Sequence, residues 1–398
     1  MECITALREE LFWVGGNDRR LALFENAFPI PKGVSYNAYL WLDEKTVLLD
    51  TVDKAIGALF FENLKAGLQG RTLDYVLVNH MEPDHCATLG ELCRLYPEAT
   101  LVCSAKAAMM IGQFFSDDLV ARVKTVAEGD KLQTGKRCFA FYMAPMVHWP
   151  EVMVSYEETT GTLFSADAFG TFGAVSGLLF ADELDFERDW LGEARRYYAN
   201  IVGKYGAPVQ ALLKKVAGLR VDMLCPLHGP IWRKNIAWYV EKYRLWSSYQ
   251  PEDDGVLIAY ASIYGHTENA AEVLAAFLRE AGVKRIEMAD VSVTNASYLV
   301  SEAFRLGKLA LLSPTYNMGV FPAMEALLAD LKAHNLQNRK IALVENGSWS
   351  PAAGKLMRET LEGMKNMTIV EPFVSIRSAL KTEQREQLRV LAKALAEA

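Results

Sequence analysis

Apolar residues along this chain follow two different patterns. After position 255, short runs rich in Val, Ile, Leu and Ala at 256–262, 285–291, 309–314, 340–346 and 369–376 read as strands. The stretches between them carry helical periodicity. Five strands with interleaved helices predict one doubly wound parallel sheet. Before position 248 the pattern is mixed α/β: runs at 36–50 and 72–79 alternate or are wholly apolar, helix-like stretches separate some of them, and polar clusters fall just after strand ends. The stretch Ser-Tyr-Gln-Pro-Glu-Asp-Asp-Gly at 248–255 divides the two patterns. The expected domains are therefore 1–250 and 251–398.

At 398 residues the chain is long enough for two domains, each with a substantial core. A net charge of −7 offers no basic field for phosphate backbones, so no nucleic-acid partner is expected. The first twenty residues mix acids, bases and apolar positions, unlike a secretory leader. No uncharged apolar run approaches the length of a membrane span. The expectation is a cytoplasmic chain without a membrane partner. Six cysteines (Cys3, Cys86, Cys93, Cys103, Cys138, Cys225) are scattered without a CxxC pair, which argues against a disulfide framework, an iron-sulfur cluster or a built-in rubredoxin. They read as small buried apolar residues.

Chemistry concentrates at strand ends. The apolar run 75–79 leads directly into His80-Met-Glu-Pro-Asp-His85, so His80, Glu82, Asp84 and His85 lie within six residues. Imidazole and carboxylate donors of this kind suit divalent iron, manganese or zinc. His148 follows the apolar stretch 139–147, Asp167 follows 161–166 and His228 follows 221–227, so four of six histidines occupy equivalent positions. Each of these alone has an ordinary explanation as a turn former or hydrogen-bonded residue. Seven together exceed the needs of one tetrahedral structural site, and two metals are the natural count.

In the second half, strand 256–261 opens into Ser262-Ile-Tyr-Gly-His-Thr267 ahead of a helical pattern. Such a loop can aim backbone N–H groups, hydroxyls and a positive helix end at a phosphate, with Gly265 permitting close approach. Two further loops follow the third and fourth strands, where an open α/β sheet places its ligand. The candidate binding residues are Ser262, Tyr264, Gly265, His266 and Thr267 in the first loop. Pro314, Thr315, Tyr316, Asn317 and Gly319 form the second set, and Asn346, Gly347, Ser348 and Trp349 the third. No GxGxxG fingerprint for NAD is present after a first strand.

The HxExDH spacing, followed by His148, Asp167 and His228, resembles the metallo-β-lactamase fold, and Glu82 in its second position looks like the flavodiiron branch (class A). Segments 148–151, 167–170 and 225–230 are similar to that family's as well. The three loops of the second half resemble those of flavodoxins. The resemblance implies an N-terminal αββα sandwich and a C-terminal flavodoxin-like domain with a five-stranded parallel sheet. It also implies two non-haem irons and FMN. His80, Glu82 and His148 would hold one iron and Asp84, His85 and His228 the other, with Asp167 as bridge. The implied activity is reduction of dioxygen to water or of nitric oxide to nitrous oxide, with rubredoxin as donor and a head-to-tail homodimer or a homotetramer as assembly. Trp149, Phe169, Tyr197 and Tyr198 are candidates for the pocket lining. Some members of the family carry an additional histidine near residues 24–26; here no histidine precedes His80, so that contact is absent or replaced by Glu25, and His266 departs from the flavodoxin pattern. A metal-dependent hydrolase and a non-enzymatic electron carrier are the competing readings, opposed respectively by Glu82 with the fused flavodoxin half, and by the complete set of seven ligands.

Overall fold

The computed structural model describes residues 2–398. The chain forms two compact units, one comprising residues up to 198 with 207–244, the other 199–206 with 245–398.

The first unit is built on two sheets. In the larger, the wholly apolar strand Tyr75–Val78 lies between Thr46–Leu49 and Thr100–Ser104, parallel to both. Strands buried on both faces are expected to be continuously apolar in this way. The hairpin Tyr39–Leu42/Thr46–Leu49 continues the sheet outward to Leu11–Trp13 and Thr5–Arg8, and Val123–Val126 closes the other edge. The second sheet runs Lys131–Gln133, Cys138–Met143, Met153–Glu157, Thr162–Phe164 and Met223–Cys225. Trp13, Tyr39, Trp41, Val47, Leu49 and Leu77 of the first sheet share one core with Phe139, Phe141, Met153, Phe164 and Met223 of the second. This is the sandwich expected from the resemblance. The run 139–147 is strand only as far as Met143. Pro145, which has no N–H to pair, and Met146, at φ 64°, turn the rest into a loop.

In the second unit the strands lie in the order Ile286–Asp290, Asp253–Tyr260, Leu306–Tyr316, Arg339–Asn346, Met367–Ile376, all parallel. This is the flavodoxin-like 2-1-3-4-5 order. Val256, Ile258, Ala310, Leu312, Ala342 and Val344 pack against the helices His266–Glu280 and Thr382–Glu397. The alternate residues Leu257, Ala259, Leu309, Leu311, Ile341 and Leu343 are buried too, so both faces are covered.

Two boundaries differ from expectation. Residues 253–255, read as linker, belong to the first strand of the second unit, because the Asp253 carboxylate sits between Arg285 (2.5 Å) and Arg305 (2.9 Å). Residues 199–206 group with the second unit: Asn200 donates to Ser297 O at 3.0 Å, and the Tyr249 hydroxyl donates to Gly203 O at 3.0 Å. Of the six cysteines, Cys86, Cys93, Cys103 and Cys225 are buried, whereas Cys3 is exposed and Cys138 half-buried. Among the described residues no helix is long and apolar enough to cross a membrane.

Asp43, in the turn of the first sheet's hairpin, links that turn to the second sheet. Its Oδ2 accepts from Arg137 N and Thr134 Oγ1, both at 2.8 Å, and its Oδ1 from Lys136 N at 3.1 Å. Burial raises this carboxyl's pKa, but these donors outweigh it and hold it below the usual 3.8. A depressed carboxylate stabilises the fold above its unfolded pKa and loses that contribution as the pH falls through the folded value. Asp43→Asn is therefore expected to cost about 1–2 kcal/mol at pH 7. The gap to wild type should close below pH 3.8, as followed by urea unfolding across the acid range.

Candidate metal centre and cofactor cavity

The strand Tyr75–Val78 hands over to Asn79, which is clamped on three sides. Its backbone N–H and side-chain amide donate to the two oxygens of Asp50 at 2.7 Å each, and its Oδ1 accepts from Ser155 Oγ at 2.6 Å. Met153 N donates to its carbonyl at 3.1 Å. Both sheets thus fix the root of the loop. His80 follows outside the strand, Glu82 lies on extended backbone, and Pro83 starts the short helix Pro83–Cys86 that carries Asp84 and His85. That change of backbone at Pro83 divides the six-residue motif into two groups.

Four ligand atoms from His80, Glu82, His148 and Asp167 lie within 4.8 Å of one another, as do three from Asp84, His85 and His228. In the first group His148 Nε2 is 3.0 Å from Glu82 Oε2 and 3.2 Å from Asp167 Oδ2, and His80 Nε2 is 3.2 and 3.4 Å from the same two atoms. In the second, His85 Nε2 and His228 Nε2 are 3.0 Å apart, and each lies 3.3–3.4 Å from Asp84 Oδ2. Asp167 faces both: its Oδ1 is 3.1 Å from His85 Nε2, while its Oδ2 belongs to the first group. Two donors about 2.1 Å from one ion at right angles are about 3 Å apart, so these spacings suit a shared cation.

The hydrogen bonds behind the imidazoles fix their tautomers. His228 Nδ1 donates to Ser35 O at 2.8 Å, and His80 Nδ1 meets Glu151 Oε1 at 2.8 Å. A proton on Nδ1 leaves the Nε2 lone pair for a metal. Asp84 has both carboxylate oxygens buried without a hydrogen-bond partner, and two Nε2 atoms at 3.0 Å have at most one proton to share in neutral imidazoles. Such a donor set is satisfied by cations. The field points the same way. Burial disfavours a charged His80, yet Asp167, Glu151 and Glu82 outweigh it and hold its pKa well above the ordinary value. His148 is held up to about 9, against burial, by Asp167 and Glu82. Metal binding must displace such protons.

Around the ligands, Trp149 stands perpendicular to His80, with centroids 5.5 Å apart. Tyr197 packs on His228 at 5.5 Å, and its buried hydroxyl has no hydrogen-bond partner. Phe169 and Tyr198 turn instead toward Tyr243, at 4.2 and 5.0 Å. Glu25 and Asn26 form a tight turn with φ of 48° and 55°. Glu25 brings its carboxyl onto Glu82, and partial burial followed by that contact raises its pKa to about 8. Sequence reasoning missed Asp50, Asn79, Ser35 and Glu151. Only Glu151 left a signal, three residues after His148.

In the second unit a cavity of about 350 Å³ opens beyond the carboxyl ends of the strands. Eleven predicted residues line it: Ser262, Tyr264, His266, Thr267, Pro314, Thr315, Asn317, Asn346, Gly347, Ser348 and Trp349. Ile263, Met318, Ser350 and Ser378 add to the wall. Three predicted residues do not line it. Gly265, at φ 86°, shapes the loop from behind, Tyr316 packs on Phe321, and Gly319 pairs with Tyr316 to close a two-residue hairpin. Ser262 Oγ accepts from Gly265 N (3.0 Å) and Glu268 N (3.3 Å), capping the helix start. The cavity's size, its wall of small polar residues with Tyr264, Met318 and Trp349, and its helix N-terminus fit a flavin mononucleotide.

A metallo-β-lactamase-type sandwich with two sets of metal donors, joined to a flavodoxin-type unit, defines a class of metal-dependent flavoproteins. The family described as "ODP family beta lactamase" matches residues 34–229, and "Flavodoxin" matches 258–389. A nitric oxide reductase of Moorella thermoacetica is 30% identical over 98% of both chains. An anaerobic nitric oxide reductase flavorubredoxin of Vibrio vulnificus is 30% identical over 87% of this chain and 70% of its own. Rubredoxin oxygen:oxidoreductase of Desulfovibrio gigas superposes with a TM-score of 0.93 at 29% identity, covering 99% of this chain and 98% of that one. The chain belongs to the flavodiiron protein family.

Glu151 is the structure's clearest test of ligand orientation, because its Oε1 also accepts from Met81 N at 2.9 Å and so ties His80 to its own loop. Glu151→Ala is expected to weaken metal retention by about 10- to 100-fold. Glu151→Gln, which keeps an acceptor, should lose less. Iron per chain after competition with a chelator measures both, and unchanged retention in Glu151→Ala would refute the orienting role.

Proposed function

We propose that this chain reduces dioxygen to water, nitric oxide to nitrous oxide, or both, at two irons fed with electrons through FMN. The observation that carries the proposal is Asp167, one carboxylate with an oxygen facing each donor group. His80, Glu82 and His148 would hold one iron, Asp84, His85 and His228 the other, and Asp167 both. Three carboxylates suit a pair of divalent ions of the harder kind. When bound, the irons supply electrons and Lewis acidity to a diatomic gas, and FMN takes electrons in pairs and returns them singly.

The chain's own residues do the rest. Phe24, Tyr36, Tyr197 and Trp149 pack on the imidazoles and keep bulk water from them. Both reductions consume protons, and the Tyr197 hydroxyl, buried without a partner, is a donor held ready beside His228. Tyr264, Trp349 and Met318 stand 90%, 82% and 61% exposed around the flavin cavity. Such apolar exposure supports a rubredoxin-type donor or a second copy of this chain docking there. Electron transfer is short-ranged, and the head-to-tail dimer that the family resemblance implies would set one subunit's FMN beside the other's irons, so the assembly proposed is a dimer or a dimer of dimers; a fully active monomer in sedimentation would sink it.

The decisive experiment is anaerobic stopped-flow. Fully reduced protein mixed with each gas should show fast flavin reoxidation by at least one of them. The double variant His85→Ala/Asp167→Ala should retain FMN and lose that fast phase. If wild type and variant reoxidise alike with both gases, the reading fails. Tyr197→Phe removes an unpaired buried hydroxyl, so unfolding stability should hold or rise by up to about 1 kcal/mol. Turnover should nevertheless fall on the order of 10- to 100-fold.

A further inference from the structure

The cavity beyond the second unit's strands is walled by fifteen residues that include no Lys, Arg, Asp or Glu. A phosphate monoester carries close to two negative charges at neutral pH, with its second ionisation near about 6. In this wall His266 is the one side chain of a type that changes charge between pH 5 and 8. It occupies the first position of the helix His266–Glu280, directly after Gly265 at φ 86°. The ring is exposed, and among the described residues no hydrogen bond or ion pair engages it.

For the helix alone this is a poor choice of residue. The first turn bears the positive end of the macrodipole, where a cation is disfavoured and small capping or acidic residues are preferred. Ser262 already supplies the cap. An imidazolium at this position becomes favourable once a dianion sits between it and the helix end, because each then neutralises the other. We propose that His266 is a specificity residue for the phosphate, gripping it with a charge-assisted hydrogen bond when protonated, so that the chain's hold on FMN tightens as the pH is lowered. The proposal rests on the FMN reading of the cavity.

The charged surroundings are few. Glu268, two residues on in the same helix, is exposed with its carboxylate near Gly265, at a spacing that turns it to a different side of the helix from the ring. The loop that contributes Ser378 also carries Arg377 and Lys381 outside the wall. The strand-end loops contribute Ser262, Thr267, Pro314, Thr315, Asn317, Asn346 and Ser348, all neutral.

The test uses the full chain after flavin removal, with FMN and riboflavin titrated by fluorescence quenching from pH 5.5 to 8.5. The proteins are wild type, His266→Asn and His266→Lys. The FMN dissociation constant of His266→Asn, divided by that of wild type, is expected near about 5–10 at pH 6 and to fall toward one at pH 8.5. This ratio cancels the ionisation of FMN's own phosphate. His266→Lys should bind FMN tightly without that trend, and riboflavin should give a ratio near one throughout. A flat FMN ratio with tight binding overturns the proposal and leaves the cofactor reading standing, and so does an equal trend with riboflavin. Failure of every protein to take up FMN overturns both.

Discussion

The first unit is organised around an electrostatic constraint. Glu82, Asp84 and Asp167 converge with four imidazoles in a space from which water is largely excluded, His80 and His228 being fully buried and Asp167 1% exposed. Carboxylates cannot share a volume of low dielectric without a counter-charge. Protons on the imidazoles supply it in part, and divalent cations supply it better, with the geometry to reach several oxygens and nitrogens at once. The residues behind the ligands follow from this. Ser35, Asp50 and Glu151 are oriented acceptors whose task is to keep donor groups from turning away from a crowded centre.

Such a centre also needs backbone that an ordinary strand cannot offer. Left-handed residues other than glycine sit at Asp50, Met146, Ala166 and Phe169, each within two residues of a ligand or of a ligand's support. Conformations of this kind cost on the order of 1 kcal/mol each and persist only where the surroundings over-determine them. Here the surroundings are the packed interior between the sheets and particular clamps, such as the Tyr243 hydroxyl accepting from Phe169 N at 2.6 Å. The second unit has its own anchor. Arg339, 1% exposed, donates to the carbonyls of Ala303 and Phe304 at the end of the helix Ala296–Arg305 and to Tyr249 O, all at 2.8 Å. A guanidinium is thereby spent on carbonyls that would otherwise be orphaned inside the protein.

Much of this was legible in the sequence, for identifiable reasons. The HMEPDH run and the later strand-end residues were visible because metal chemistry restricts residue type, and the three central strands of the second half because burial on both faces makes their middles uniformly apolar, while the edge strands Ile286–Asp290 and Met367–Ile376 are only half-buried. Less legible was whatever depends on how backbone ends. Apolarity carried the strand reading of 139–147 past Pro145. Proximity to the loop placed Tyr316 and Gly319 in the cavity, whereas Tyr316 packs on Phe321 and Gly319 pairs with Tyr316 in the hairpin. The grouping of 199–206 with the second unit shows in scattered polar contacts such as those of Asn200 and Tyr249, which leave no periodic trace. Ser35 contributes a carbonyl, and a main-chain group is invisible to any reading of side chains.

The two sites solve opposite problems, and their residues differ accordingly. A guest of positive charge calls for formal negative charge, since ion–dipole attraction alone would not offset the loss of water from a doubly charged metal. The first unit supplies three carboxylates. An anionic phosphate can be held by oriented N–H groups and a helix end, which act as fixed partial charges without a counter-ion of their own. The second unit can therefore line its cavity without Lys, Arg, Asp or Glu and keep the site stable when the guest is gone. The carboxylate centre has no such freedom: without its cations the same groups repel or collect protons, as the raised His80 and His148 show. Loss of metal should thus disturb the first unit's fold more than loss of flavin disturbs the second's.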